Sequence, residues 1–211
     1  MSDGPDRTRA ATRLRELNEE FVARELSDAD LDLIEERAAQ LVGVVRRADV
    51  RRRVPEQALL DEFRVSLLSE GRSEQHLTGS VVSGLDSPVS LGAHFWREGD
   101  EIVMVATFTP PFEGAPGMGH GGVLAAVIDE AMGLVVAMHQ VLAFTAQLDV
   151  SYRSPVPLNR PVTTRAWLAR REGRKFTLAA VVRCDETVLS EASGLFISVD
   201  PDQFIENLAT R

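Results

Sequence analysis

Residues 119–133 read GHGGVLAAVIDEAMG, and how this stretch is read decides the fold. From His120 to Met138 the chain is apolar enough for a buried helix, yet Asp129 and Glu130 stand in its middle. At 100° per residue, Leu124, Val127, Ile128, Ala131, Val135 and Met138 share one broad face, the side expected to lie on a sheet. Asp129 projects elsewhere, among Ala125, Ala126, Gly133 and Val136. It is either a carboxylate turned to water or to an arginine, or one charge placed in a slot of small side chains. Glu130 points toward Val123, Ala126, Leu134 and Ala137 and is expected at solvent or in an interface salt bridge. Gly121 and Gly122 open the helix where backbone N–H groups lack partners and the macrodipole favours negative charge, which suits an oxyanion. The plainer reading is that they only permit the turn, with His120 the residue that enters the helix.

Working outward, the flanking sequence is β in texture. Leu91–Trp96 and Ile102–Phe108 predict two strands joined by a tight turn at Glu98–Asp100, forming a hairpin. Pro110, Pro111, Gly114, Pro116, Gly117 and Gly119 make an extended loop that delivers the chain to the helix. Ala143–Tyr152, Val162–Arg171, Phe176–Cys184 and Val188–Val199 predict four more strands. Short turns at Glu172-Gly173 and Asp185-Glu186 make the later neighbours antiparallel, so one long helix lies against one curved sheet in a two-layer α+β fold.

The first third is helical instead. Leu14, Leu17 and Phe21 recur at amphipathic spacing within residues 8–25. Ser27 with Asp30 resembles a capping box, followed by Leu31, Ile34, Ala38, Leu41 and Val45 as a stripe that needs a cover. Arg51, Arg52 and Arg53 before Val54-Pro55 read as a solvated turn, and residues 56–69 as a weaker third helix. The division expected is an N-terminal helical extension over residues 1–75 and an α+β domain over residues 76–205.

Composition limits the function classes. A chain of 211 residues, 44% hydrophobic, buries a substantial core, and a formal net charge of −9 argues against nucleic acid or an anionic membrane as partner. The single cysteine, Cys184, excludes an intramolecular disulfide and fits a reducing compartment. The polar N-terminus lacks a signal-peptide pattern, and acids interrupt the longest apolar run. These features together predict a cytoplasmic location.

His120-Gly121-Gly122, then Asp129, then Thr145, with Tyr152-Arg153-Ser154-Pro155 following, resembles the hotdog-fold acyl-CoA thioesterases of the phenylacetate-pathway (PaaI-like) type, over roughly residues 76–200. The resemblance implies a hotdog domain, a long central helix wrapped by a curved antiparallel sheet, acting on coenzyme A thioesters without metal or cofactor. It implies that the backbone around Gly121 and Gly122 holds the thioester oxygen, that Asp129 is the catalytic carboxylate, that Thr145 positions water, and that His120 orients the loop or the substrate. One departure stands out: some members carry asparagine six residues before the histidine, and here that position is Gly114.

Seven residues of helix separate Gly122 from Asp129 by about 10 Å, whereas a thioester carbonyl needs its donors and attacking group each within roughly 3 Å. The resemblance resolves this with a homodimer, or a tetramer, in which one chain's helix entrance faces the other's acid. Coenzyme A phosphates require a local basic patch, for which Arg153, Arg170, Arg171, Arg174 and Lys175 are the candidates. Two other functions compete: a non-catalytic hotdog module that binds acyl-CoA or serves assembly, and a hydratase. The hydratase is disfavoured because Gly133 and Leu134 stand where a partner histidine would be sought.

Overall fold

The computed structural model describes residues 7–51, 78–201 and 204. Arg52, Arg53 and the third helix expected over residues 56–69 lie outside them, as does the boundary drawn at residue 75. Two helices come first, α1 (Arg7–Ala23) and α2 (Asp28–Arg46). The hairpin β1 (His94–Glu98) and β2 (Glu101–Thr107) follows, then a short 3-10 turn at Pro110–Phe112 and the long helix α3 (Gly121–Met138). Four strands complete the fold: β3 (Ala143–Tyr152), β4 (Pro161–Glu172), β5 (Lys175–Cys184) and β6 (Thr187–Ser198). Their sheet order is β1-β2-β4-β5-β6-β3, antiparallel throughout. The two-layer α+β arrangement expected from the pattern is therefore the one observed. The first strand differs, because residues 91–93 belong to the preceding loop, where Leu91 and Ala93 bond back to Val81 and Val82.

Helix α3 packs the predicted face on the sheet. Leu124, Val127, Ile128, Ala131 and Val135 are fully buried, and Met132, Leu134 and Val136 widen the stripe. Opposite them, alternate residues of each strand fill the second layer, among them Met104, Val162, Ala166, Phe176, Leu178 and Val182. The helix is long and apolar enough to cross a membrane by length and composition alone, but its apolar face is spent on this core. Glycines take the left-handed backbone that two of the hairpins need, at Gly99 (φ 57°) and Gly173 (φ 56°).

Among the described residues the core contains one polar flaw. Thr164 lies fully buried on the helix side of β4, and among the described residues its Oγ1 has no hydrogen-bond partner. Valine has the same shape without the unsatisfied group, so Thr164→Val is expected to stabilise the fold by about 1 kcal/mol. A thermal melt should rise by roughly 2–4 °C, and an unchanged or lowered midpoint would mean the hydroxyl is satisfied.

The N-terminal helices depart from the amphipathic reading. Helix α1 docks through its polar side: Arg15 donates to the carbonyls of Leu85 (3.0 Å) and Ser87 (2.7 Å), Thr8 donates to Asp86 (2.7 Å), and Thr109 donates to Glu19 (3.1 Å). Of its residues only Ala11 is buried, while Leu14, Leu17 and Phe21 remain exposed. The apolar stripe thus faces away from the domain, because the loop and turn beneath α1 present carbonyls and hydroxyls rather than an apolar surface. Helix α2 starts at the expected cap, with Ser27 Oγ accepting from Asp30 N at 3.2 Å.

Candidate active site

The site begins with a loop that has no room. Gly114 N–H donates to Met118 O and His120 N–H to Phe112 O, each at 2.8 Å, folding residues 112–120 back on themselves. A Cβ on Gly114 would lie 2.8 Å from His120 Cα and 3.2 Å from its Cβ. The departure at this position therefore has a steric reason: no asparagine fits while His120 stays where it is. His120 in turn is the N-cap of α3, its Nδ1 accepting from Gly122 N–H at 2.9 Å. That acceptor needs Nδ1 unprotonated.

This cap revises the expected oxyanion donor. Gly122 N–H is already engaged by the imidazole, and Gly121 N–H is left at the helix mouth without an acceptor among the described residues. Tyr152 closes the other side, its hydroxyl donating to Gly121 O at 2.9 Å and its ring lying 3.4 Å from where a Cβ on Gly121 would stand. Tyr152 had no role assigned from sequence, and only the fold brings it to the mouth.

Two turns further along α3, Asp129 and Thr145 meet. Thr145 Oγ1 donates to Asp129 Oδ1 at 2.7 Å. The contact depends on an irregularity in β3: its register against β6 shifts between Thr145 and Gln147. A bulge reverses the alternation of faces. Before it the odd-numbered Ala143 and Thr145 look toward α3; after it the even-numbered Leu148, Val150 and Tyr152 do. One extra residue, Ala146, thus lets a single strand present Thr145 to the acid and Tyr152 to the glycines. The helix is open beside the acid, since a Cβ on Gly133 would meet nothing within 4 Å.

Among the described residues Glu130 has no salt-bridge partner. Ser80 and Ser83 donate to its two carboxylate oxygens, and Ser80 Oγ also accepts from Val82 N (2.9 Å) and Ser83 N (3.3 Å). The carboxylate ties residues 80–83 to the flank of α3 away from Thr145. Burial pushes its pKa above the ordinary glutamate value, the two hydroxyls offset this in part, and the neighbouring Asp129 charge adds to the rise. A carboxyl whose pKa is higher folded than unfolded contributes its full stability below the unfolded value, here 4.5. That contribution is lost as pH rises through the folded value. The melting midpoint of the wild type is therefore expected to fall relative to Glu130→Gln as pH is raised from 4 to 8. A difference independent of pH would refute the shift.

The five basic candidates do not form one patch. Arg153 pairs with Glu191 at 3.0 Å, while Arg174 Nε donates to Ser198 O at 2.9 Å. Those two partners stand seven positions apart on β6, roughly 23 Å of strand. Arg170 pairs with Glu172 at 2.5 Å, and Arg171 sits 4.6 Å over the Phe176 ring. Arg153 thus stands at the sheet end that carries the helix mouth, and the Arg170–Lys175 tip at the end that carries Thr145. Among the described residues no group of histidine, cysteine, aspartate and glutamate side chains is arranged to hold a metal ion.

With this geometry in view, the comparisons are specific. Residues 117–191 match the family model of the Thioesterase superfamily. "Acyl-coenzyme A thioesterase THEM4" of Rattus norvegicus is 30% identical over 171 residues, covering 76% of this chain and 72% of the rat protein. The Bos taurus protein of the same name is 38% identical over 112 residues, 51% of this chain. A crystal structure of a thioesterase superfamily protein superposes with a TM-score of 0.77 at 25% identity, covering 92% of both chains. The chain belongs to the thioesterase superfamily and has its hotdog fold. The matched stretch spans 46% of the bovine relative and 40% of its Mus musculus counterpart, about half of those proteins or less.

Proposed function

We propose that this protein hydrolyses acyl-CoA thioesters, the activity named for its relatives, at a site shared between two copies of the chain. The observation that carries the reading is the Thr145–Asp129 hydrogen bond of 2.7 Å, set on the same helix as an unbonded N–H at Gly121. With its own proton given to Asp129, the Thr145 hydroxyl still has lone pairs to accept a hydrogen from water. The second oxygen of Asp129 accepts the other. A water held by two acceptors presents its lone pair outward, and Asp129 removes its proton as it attacks the thioester carbon. Direct attack by Asp129 breaks the carbon–sulfur bond, releases coenzyme A as thiolate and forms an anhydride that water then cleaves, using the same residues. The charge that develops on the carbonyl oxygen falls to Gly121 N–H at the positive end of α3, joined by Gly122 N–H when His120 releases it.

Both halves of this chemistry cannot serve one carbonyl within one chain, because Gly121 and Asp129 are about 12 Å apart along the helix axis. Strand β3 supplies the means of sharing. It is a sheet edge, ten residues long and mostly exposed, and it carries Thr145 and Tyr152 at opposite ends. Two such edges related by a two-fold axis bring one chain's mouth to the other's Asp129. The same operation brings Arg153 of one chain toward the Arg170–Lys175 tip of the other, so that the divided cations can serve one coenzyme A. A cytoplasmic location is part of the same proposal, in keeping with the lone, buried Cys184. Hydrolysis of a panel of acyl-CoAs, followed by thiol release, tests the reading. Binding across the panel without turnover would instead identify a non-catalytic acyl-CoA-binding module.

A further inference from the structure

Helix α2 has no buried residue. A helix of this length ordinarily draws its stability from packing an amphipathic face, and α2 has one. Leu31, Ile34, Ala38, Leu41 and Val45 alternate intervals of three and four residues, the narrow seam of a coiled coil. Leu31, Leu41 and Val45 are 41%, 54% and 72% exposed.

The seam and its charges indicate what covers it. From Ile34 to Val45 the intervals of four, three and four read the same in reverse about a point between Ala38 and Leu41. A two-fold axis there lays Ala38 of one helix on Leu41 of the other, and Ile34 on Val45. The net charge follows the same direction, with Asp28, Asp30 and Asp32 in the first turns and Arg46, Arg47 and Arg51 at and just beyond the last, where Asp49 is the one acid among them. Antiparallel pairing sets each acidic end against a basic end and opposes the two macrodipoles, whereas parallel pairing stacks like on like. Pairing with α1 of the same chain is electrostatically wrong. Folded back as a hairpin, α1 would bring Arg7, Arg9, Arg13 and Arg15 of its first half against the basic end of α2.

We propose that α2 pairs antiparallel with α2 of a second copy of this chain, through the Leu31–Val45 seam, as an interface separate from the β3 edge. The surface is independent of the catalytic reading, and its test needs no activity. In the purified full chain, Ala38→Cys is treated with a short bismaleimide. It is expected to yield at least ten times more cross-linked dimer than Glu36→Cys, which lies on the opposite side of α2. The wild type, whose Cys184 is buried, is expected to yield none. Adding Asp28→Lys and Asp32→Lys should lower the Ala38→Cys yield at least fivefold, and Arg46→Glu with Arg47→Glu on top should restore it. Because α2 buries no residue, the melting midpoint of the domain should not change in any of these variants. Equal cross-linking at positions 36 and 38, or no rescue by the double charge reversal, would overturn the proposal.

Discussion

Asp129→Asn is expected to lower kcat for acyl-CoA hydrolysis by about 10²–10⁴-fold, the range that loss of a positioned general base or acid produces. Asparagine keeps the size of the side chain and can still accept from Thr145 Oγ1, so the fold and the 2.7 Å contact should survive. What disappears is the ability to take a proton from water or to attack as a carboxylate. The melting midpoint should therefore stay close to that of the wild type while turnover collapses. Retained turnover would remove Asp129 from the chemistry. The proposed sharing of the site adds a second readout. Mixing Asp129→Asn chains with chains disabled at the helix entrance creates mixed dimers in which one of the two sites has an intact acid and an intact mouth. Activity should then return in part, and well-mixed samples that recover nothing would place each site within a single chain.

The second large effect is expected from a single methyl group. In Gly114→Ala the new Cβ would stand 2.8 Å from His120 Cα, a distance that real Cβ contacts do not reach, and the obstacle is backbone rather than a yielding side-chain tip. Either the 112–120 loop opens, breaking the 2.8 Å bonds from Gly114 N–H and His120 N–H, or His120 moves and the cap on Gly122 N–H is lost. Overpacking of this kind destabilises by about 1–3 kcal/mol. Both routes also displace the mouth of α3, so kcat/KM should fall at least tenfold, by more than the fraction unfolded accounts for. Gly114→Asn should be no better, because an amide cannot act from a position that its own Cβ cannot occupy. Wild-type kinetics in either variant would show that the mouth tolerates a displaced His120.

Much of the candidate site was legible in the chain. Glycines that open a helix and an acid two turns on are recognisable because helix geometry converts sequence spacing directly into position, whereas the threonine in the next strand was marked only by the family resemblance. What the spacing did not reveal were contacts chosen by distant segments. Glu130 was expected at solvent or in an ion pair, since nothing near it in sequence shows that Ser80 and Ser83 fold over α3 to meet it. The cap by His120 was likewise hidden. Two adjacent glycines with free N–H groups and two with one N–H already bonded are the same string of letters.

The sequence by itself determined the order and boundaries of α3 and of strands β3 to β6, the buried face of the helix, and the antiparallel two-layer core. These follow from local periodicity, short turns and the need of each apolar face to leave water. Only the tertiary structure decided how those elements present their side chains to one another. The bulge at Ala146 reversed the parity of β3 and put Thr145 and Tyr152 on one face, and the sheet order carried Arg153 away from the Arg170–Lys175 tip. Beneath α1, a bed of loop carbonyls turned the polar side of the helix inward. In each case the deciding force was satisfaction of polar groups and packing between residues far apart in the chain, which no short window of sequence contains.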